Sequence, residues 1–308
     1  MGLFKKKPAA EPALPDEALP FFARDQADRF RRTLAAAFAE HGLEVEVRLD
    51  HLVDSQGREF GLHTLATACF NDERGERAWS ELTRDHARRI LAAINSPATE
   101  ELGSTEAVLA HVFPRLVDTL SIGQLPLGYS TEFSDGVVEV LNLDLPDSVL
   151  TLNDDHVAQH GGRSQLRAAG IRNLLGVLAG LEVESLSGGE ASLLVMTNDS
   201  MFTASTVLVM PELLARIGVT RSERGVLVCL PFRHQVAVHE IRDASVVPSL
   251  NAMVNFALTG YKEGAGPVTP HVFWWRSGTF EQLTRSENGR LSIYVDAELQ
   301  TVLDDVCN

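Results

Sequence analysis

Asp144, Asn173, Arg233 and His234 are the residues whose types and placement best suit binding or chemistry in this sequence. Asp144 follows the apolar run 137–143, and Arg233-His234 follows the run 226–230 across a Pro-Phe step. Should the two runs lie side by side as strands, a carboxylate, a guanidinium and an imidazole meet at their ends, the makings of an enzyme's polar site. Asn173 is a poor helix former within a stretch of helical period. Its amide is therefore expected to hydrogen-bond a neighbouring backbone, with ligand binding as the lesser reading.

His156 and His160 stand at i, i+4 beside Asp154 and Asp155 on a short helical stretch, a spacing able to chelate a divalent cation. No further ligand follows at a recognisable spacing and HExxH is absent, so a polar helix face is preferred and no metal is expected. Cys229 with His234 and His239 contains the parts of a thiol–imidazole pair. Yet Cys229 sits inside an all-apolar run, where a free cysteine behaves as a small buried hydrophobe. His234 and His239, five apart on an extended segment, face opposite sides of a sheet. His86 lies in an otherwise apolar helical stripe and reads as a histidine at the edge of a core. Gly188-Gly189 is a turn between extended runs. GxxxxGK[ST], GxGxxG and GxSxG are all absent, so no phosphate cradle, nucleophile elbow or cofactor is indicated.

The elements that must hold these groups follow from apolar periodicity. The densest β-branched text, residues 190–241, reads as a central sheet. Its strands are 191–196, 226–230 and 235–241, the last two an antiparallel hairpin, and Pro211 opens a short helix that Gly218 stops. The first two runs lack alternation, as strands covered on both faces do. Nearer the N-terminus, residues 21–40 form a helix with Phe30, Leu34 and Phe38 inward and Arg31 and Arg32 outward. Residues 43–49 alternate as a half-buried strand, a turn occupies 54–57, a second strand lies near 59–62, and 75–95 make another long helix. Residues 105–120 read as helical, interrupted at Pro114. Strands are expected at 137–143 and 148–152, then a short helix to His160 capped by Asn153 or Asp154. Ser164 is expected to cap the next helix, with Ile171, Leu174, Leu175 and Leu178 buried. A helix over 245–261 turns Val247, Leu250, Val254, Leu258 and Tyr261 inward, and Asn288-Gly289 signals a hairpin. A last helix buries Leu299, Val302, Leu303 and Val306.

Composition bounds the function classes. A chain of 308 residues that is 44% hydrophobic can bury a substantial core. Its net charge of −15 opposes binding to nucleic-acid backbones and to anionic lipid, and suits a basic protein partner or solubility alone. No apolar run reaches the roughly 18–20 residues of a membrane span, and no apolar leader opens the chain, so a cytoplasmic protein is expected. Only four of the 27 basic residues are Lys, in Ala- and Leu-rich text, which points to a GC-rich bacterial genome. Three widely spaced cysteines without CxxC support neither a zinc ribbon nor a disulfide framework.

From Gly128 onward the order of motifs resembles the YtpQ-like family of bacterial proteins, a domain of unknown function. The matching text is LNLDLPDSV (141–149), Leu166 with Ala169 and Asn173-Leu174, MFTAS (201–205) and VLVCLPFRH (226–234). The resemblance implies an α+β fold and a bacterial cytoplasm, and brings no activity with it. The family pattern carries an Asp after the Arg of the sheet turn, where this chain has His234, so carboxylate chemistry at that turn is not implied.

The sequence thus predicts an α+β protein: a tail over residues 1–19, an N-terminal helix–strand–strand–helix domain over 20–95, a helical linker region over 96–126, and a larger mixed or antiparallel sheet domain with helices over 127–308. The expected role is binding an unknown protein partner or small ligand. The alternative is an enzyme centred on Asp144, Arg233 and His234.

Overall fold

The computed structural model describes residues 14–55, 58–95, 104–122, 127–145, 148–219, 223–287 and 290–307. The fold is α+β, and the chain divides into two compact units, Met1–Asn95 and Ser96–Asn308.

The first unit is organised by helix α1, Arg24–Glu40, whose Phe30, Leu34 and Phe38 enter the core at the expected four-residue spacing. Strands β1 (Val45–Val47), β2 (His51–Asp54) and β3 (Glu59–Gly61) form a three-stranded antiparallel sheet. Helix α2 (His63–Asn71), a 3-10 turn at Gly75–Ala78 and α3 (Trp79–Asn95) complete it. Phe22, Phe30 and Trp79 pack ring against ring with centroids 5.1–6.0 Å apart.

Three expectations fail here. Arg31 is buried and ion-paired, not turned outward. The alternation over 43–49 does not make a half-buried strand: β1 spans three residues, and Val47 and Leu49 are 42% and 49% exposed. The strand that bears the burial is β2, with Leu52 and Asp54 inward, just ahead of the expected turn, whose residues 56–57 lie outside the described residues. The presumed tail also packs, since Asp16 and Leu19 are buried against α1 and its neighbours; residues 1–13 lie outside the described part.

The second unit holds two main antiparallel sheets. In one, β4 (Val112–Asp118) and β5 (Thr131–Ser134) flank β6 (Val137–Leu145), and β7 (Ser148–Thr151) also pairs with β6. The other has six strands in the order β13-β12-β10-β11-β9-β8. These are β8 (Glu182–Gly188), β9 (Ala191–Thr197), β10 (Val226–Cys229), β11 (Gln235–Glu240), β12 (Val272–Arg276) and β13 (Thr279–Gln282). Strands β10 and β11 form the expected hairpin. Val226 and Val228 enter one core while Leu227 and Cys229 enter another, so β10 is covered on both faces. Strands β14 (Thr284–Glu287) and β15 (Arg290–Ile293) pair across the expected hairpin, its Asn288-Gly289 turn lying outside the described residues.

Helix α4 (Thr105–His111) ends before Val112, and residues 112–118 form β4 where a helical linker was expected. Pro114 is the reason it reads ambiguously. Proline lacks the ladder N–H, and it is tolerated because β4 lies at an edge of its sheet. Helices α5 (Asp154–Gln159) and α6 (Gly162–Ala179) follow, and α6 packs on β4 with Gly170 against Pro114. A Cβ at Gly170 would lie 2.6 Å from the Pro114 ring, so this crossing requires glycine. Ser164 does not cap α6, which starts at Gly162, and Leu175 faces solvent. A 3-10 helix, Ala204–Val209, leads into α7 (Met210–Arg216). Helix α8 (Val246–Glu263) buries Val246, Ser249, Leu250, Met253 and Ala257; Val247, expected inside, is exposed. The last helix, α9 (Ala297–Cys307), buries Leu299 and Val302. No helix among the described residues is long and apolar enough to cross a membrane.

Candidate functional site

The register of the first sheet sets one wall of a polar site. Arg115 pairs with Val140, Phe113 with Asn142, and Asn142 with Thr151. Residues directly opposite one another point to the same face, so Phe113, Arg115, Asn142 and Thr151 share one. The Phe113 ring stacks on Phe202 at 4.3 Å, which docks the segment MFTAS onto that face. Ser205 Oγ then accepts the Leu116 N–H at 2.9 Å.

The β10–β11 turn supplies the other wall. Its Arg233 carbonyl accepts the Ala204 N–H at 3.0 Å, and its Arg233 N–H donates to Gly266 O at 2.9 Å. Gly266 has φ +70° and abuts the Arg233 side chain. His234 Nδ1 lies 3.1 Å from Asn198 O and 3.0 Å from Ser200 O. Carbonyls only accept, so the proton belongs on Nδ1, and Nε2 is left to accept from Arg233 Nε at 2.8 Å. Burial, reinforced by the Arg233 cation, holds the imidazole below its ordinary pKa. His234 is neutral with both ring nitrogens engaged.

Arg115 and Arg233 are the two cations of this cluster. Burial, with a lesser contribution from the nearby Arg233, pushes Arg115 down to about 10, and it remains charged at neutral pH. Burial also lowers Arg233. No acidic group counters either shift, and among the described residues neither guanidinium forms an ion pair. Arg115 Nε is buried without a hydrogen-bond partner. Asp118, the carboxylate on the same strand, has the opposite parity, faces away and takes the Tyr261 hydroxyl.

Asn142 adds a second orphan. It is fully buried, its Nδ2 donates to Thr151 Oγ1 at 3.0 Å, and its Oδ1 has no partner. Turning the amide over exchanges the two ends and still leaves one unpaired. By register Asn142 is the diagonal neighbour of Arg115. An unpaired donor and an unpaired amide end thus occupy one interior.

The structure separates the sites anticipated from sequence. Arg233 and His234 meet. Asp144 does not join them: it shares its face of β6 with Asn142 but lies four residues beyond Val140, the residue opposite Arg115, and its charged neighbour is His111. There Asp144 stands opposite Val149; burial raises its carboxyl, and His111 opposes that shift. Asn173 is committed to structure: its Nδ2 donates to Leu109 O at 3.0 Å and Val112 O at 2.8 Å, closing the C-terminal end of α4. Arg115 and Asn142 were missed. Their signal was polar residues set in two apolar runs, Arg115 in VFPRLV and Asn142 with Glu139 in VVEVLNL, and it becomes legible only once residues 112–118 are taken as a strand.

The other anticipated groups lie elsewhere, and of these His239 keeps a buried Nε2 without a partner. His156 Nδ1 faces the Asn153 N–H within the α5 capping box, and buried His160 lies 3.4 Å from Thr105 Oγ1. Asp154 accepts the N–H groups of Gly128 and Tyr129. Among the described residues no cluster of three metal-binding side chains exists. Cys229 is fully buried, its thiol driven up by desolvation, and His239 Nδ1 is held by Ser192 O at 2.8 Å.

Three stretches reach this site: 141–149 through Asn142, 201–205 through Phe202 and Ser205, and 226–234 through Arg233 and His234. No protein-family model, curated protein or solved structure matches the chain.

Proposed function

We propose that this protein is a binding module whose second unit takes a small anionic group between Arg115 and Arg233. The observation that carries the reading is the pair of adjacent guanidinium groups, both lowered by desolvation, with no carboxylate opposite them among the described residues. Burying an uncompensated cation costs several kcal/mol, and two together cost more through mutual repulsion. An oxyanion reverses both penalties and matches the planar fork of arginine, which binds carboxylate and phosphate with paired hydrogen bonds. Asn142 and Thr151 give the ligand further polar contacts. The −15 charge of the chain argues against a polyanion and for a compact ligand group.

Binding is favoured over catalysis. The enzyme alternative required Asp144 beside Arg233 and His234, and a base with a free lone pair. Asp144 lies far along β6 beside His111, His234 has neither nitrogen free, and Cys229 is sealed in the core. The YtpQ-like resemblance and a bacterial cytoplasm belong to the same proposal.

Thermal unfolding tests it. Millimolar phosphate, at constant ionic strength made up with chloride, should raise Tm along a saturable curve. R115M and R233M should remove that rise while leaving a cooperative transition. A wild-type Tm that climbs linearly with salt and equally in both variants would reduce the effect to general salting and overturn the reading.

A further inference from the structure

The six-stranded sheet ends in β8, Glu182–Gly188, which pairs with β9 through all seven residues without a register shift. All seven are exposed, and among the described residues nothing pairs with the outer side of this strand. Alternate N–H and C=O groups therefore project outward from a straight, regular edge. Edge strands are normally shielded by proline, charged side chains, a bulge or a covering loop. β8 carries no proline, lysine or bulge, its exposure on both faces rules out a covering loop among the described residues, and its only charged guards are Glu182 and Glu184, which a basic strand turns into attractions.

The side chains specify what would pair there. Glu182, Glu184 and Leu186 share one face, while Val183, Ser185 and Ser187 share the other. Val183 and Leu186 are 41% and 37% exposed. A strand laid along this edge places one residue opposite each of these. Opposite charges across a ladder attract, and like charges repel, by about 0.2–1 kcal/mol per pair. We infer that β8 is a docking edge for an extended peptide segment of a partner protein, with basic residues at alternate positions opposite Glu182 and Glu184 and an apolar residue opposite Leu186. The acidic charge of the whole chain would draw such a segment in.

A second copy fits less well. Antiparallel self-pairing centred on Ser185 sets Glu184 diagonal to its own symmetry mate and joins two chains of charge −15. A parallel or antiparallel basic peptide meets no such repulsion. This proposal stands on the strand edge and is independent of the arginine pair.

Fluorescence anisotropy with the full chain tests it. Two labelled probes are needed, Lys-Thr-Lys-Thr-Leu for parallel and Leu-Thr-Lys-Thr-Lys for antiparallel addition, each extended by two Thr at both ends. One of them should bind, and exchanging its lysines for glutamates should weaken binding about tenfold, the sum of two pairs turned from attractive to repulsive. The double variant E182K/E184K should invert that preference. N-methylating alternate peptide nitrogens should abolish binding in one of the two possible phases only, because an added strand uses every second N–H. Equal binding of both N-methylated phases would mean charge attraction without strand addition and would overturn the inference. So would a chain that binds neither probe, or that sediments as a dimer dispersed by E184K or S185P.

Discussion

The two units hold arginine in opposite ways, buried in the first and half-buried in the second. In the first, Arg31 is locked by Asp16 through 2.6 and 3.0 Å contacts, with Nε and Nη2 also donating to Leu49 O at 3.0 and 2.7 Å. Charge and donors are satisfied within the chain. In the second, Arg115 and Arg233 lie close together without a carboxylate among the described residues, and Arg115 Nε has no acceptor. The same side chain is a finished structural part in one place and an unfinished one in the other. The proposed ligand would supply to the second setting the counter-charge that Asp16 supplies to the first.

Asp16 gives the largest test of this contrast. Removing one partner of a buried pair strands the other, so D16A should destabilise the first unit by about 3–5 kcal/mol. Deleting residues 1–19 should do comparable damage, because it removes Asp16 and Leu19 together. Urea unfolding of each variant checks both. A loss below about 1 kcal/mol would place Arg31 in the same unsatisfied class as Arg115 and dissolve the comparison.

Cys229 measures how tightly the sheet beside the site is packed. C229S should cost about 1–3 kcal/mol, since the new hydroxyl has no evident partner in a strand covered on both faces. C229A should cost less, through a small cavity alone. Under native conditions a thiol reagent should label exposed Cys307 rapidly and leave Cys69 and Cys229 until unfolding. Burial raises both inner thiols, Cys69 to about 12. Rapid native labelling of Cys229 would reopen the second unit to catalysis.

Arg115 should respond with the opposite sign from Asp16. In anion-free buffer R115M should stabilise by about 1 kcal/mol, because a long apolar side chain replaces an uncompensated charge. A destabilisation as large as that of D16A would show that Arg115 has a partner in the chain.

How far this contrast was legible in the sequence depends on the element. Where packing needs only apolar periodicity, as in α1 and the β10–β11 hairpin, the pattern sufficed. Arg31 was misplaced because a guanidinium enters a helix core only when an acid meets it, and Asp16 lies outside any periodic element. Residues 112–118 were misread because Pro114 breaks a helix and a strand alike, and only the edge position, a tertiary fact, reconciles it with the ladder. That error hid Arg115 and, with it, the face it shares with Asn142. Arg233 and His234 were visible because a Pro-Phe-Arg-His break after an apolar run marks a strand end. Helix α8 was predicted about one residue out of phase, since Ser249 and Ala257, small residues on its buried face, carry little apolar signal.

The smallest effect is a difference in pH dependence. Asp16 is held below the usual carboxylate range, chiefly by its hydrogen bond from Arg31. A carboxyl depressed in the folded state contributes its full stability above the unfolded pKa, near 3.9, and loses it as pH falls through the folded value. The Tm gap between wild type and D16N should therefore hold constant from about pH 7 to 5 and close below about pH 4. Arg115 faces no carboxylate, and the titrating neighbour of the pair, His234, is kept neutral by burial and by Arg233. The gap between wild type and R115M should then stay level across the same range. If it collapsed on acidification in step with the D16N gap, an acid group would have to stand opposite Arg115. The second unit would then hold a satisfied ion pair like the first, and the proposed anion would have no cation left to meet.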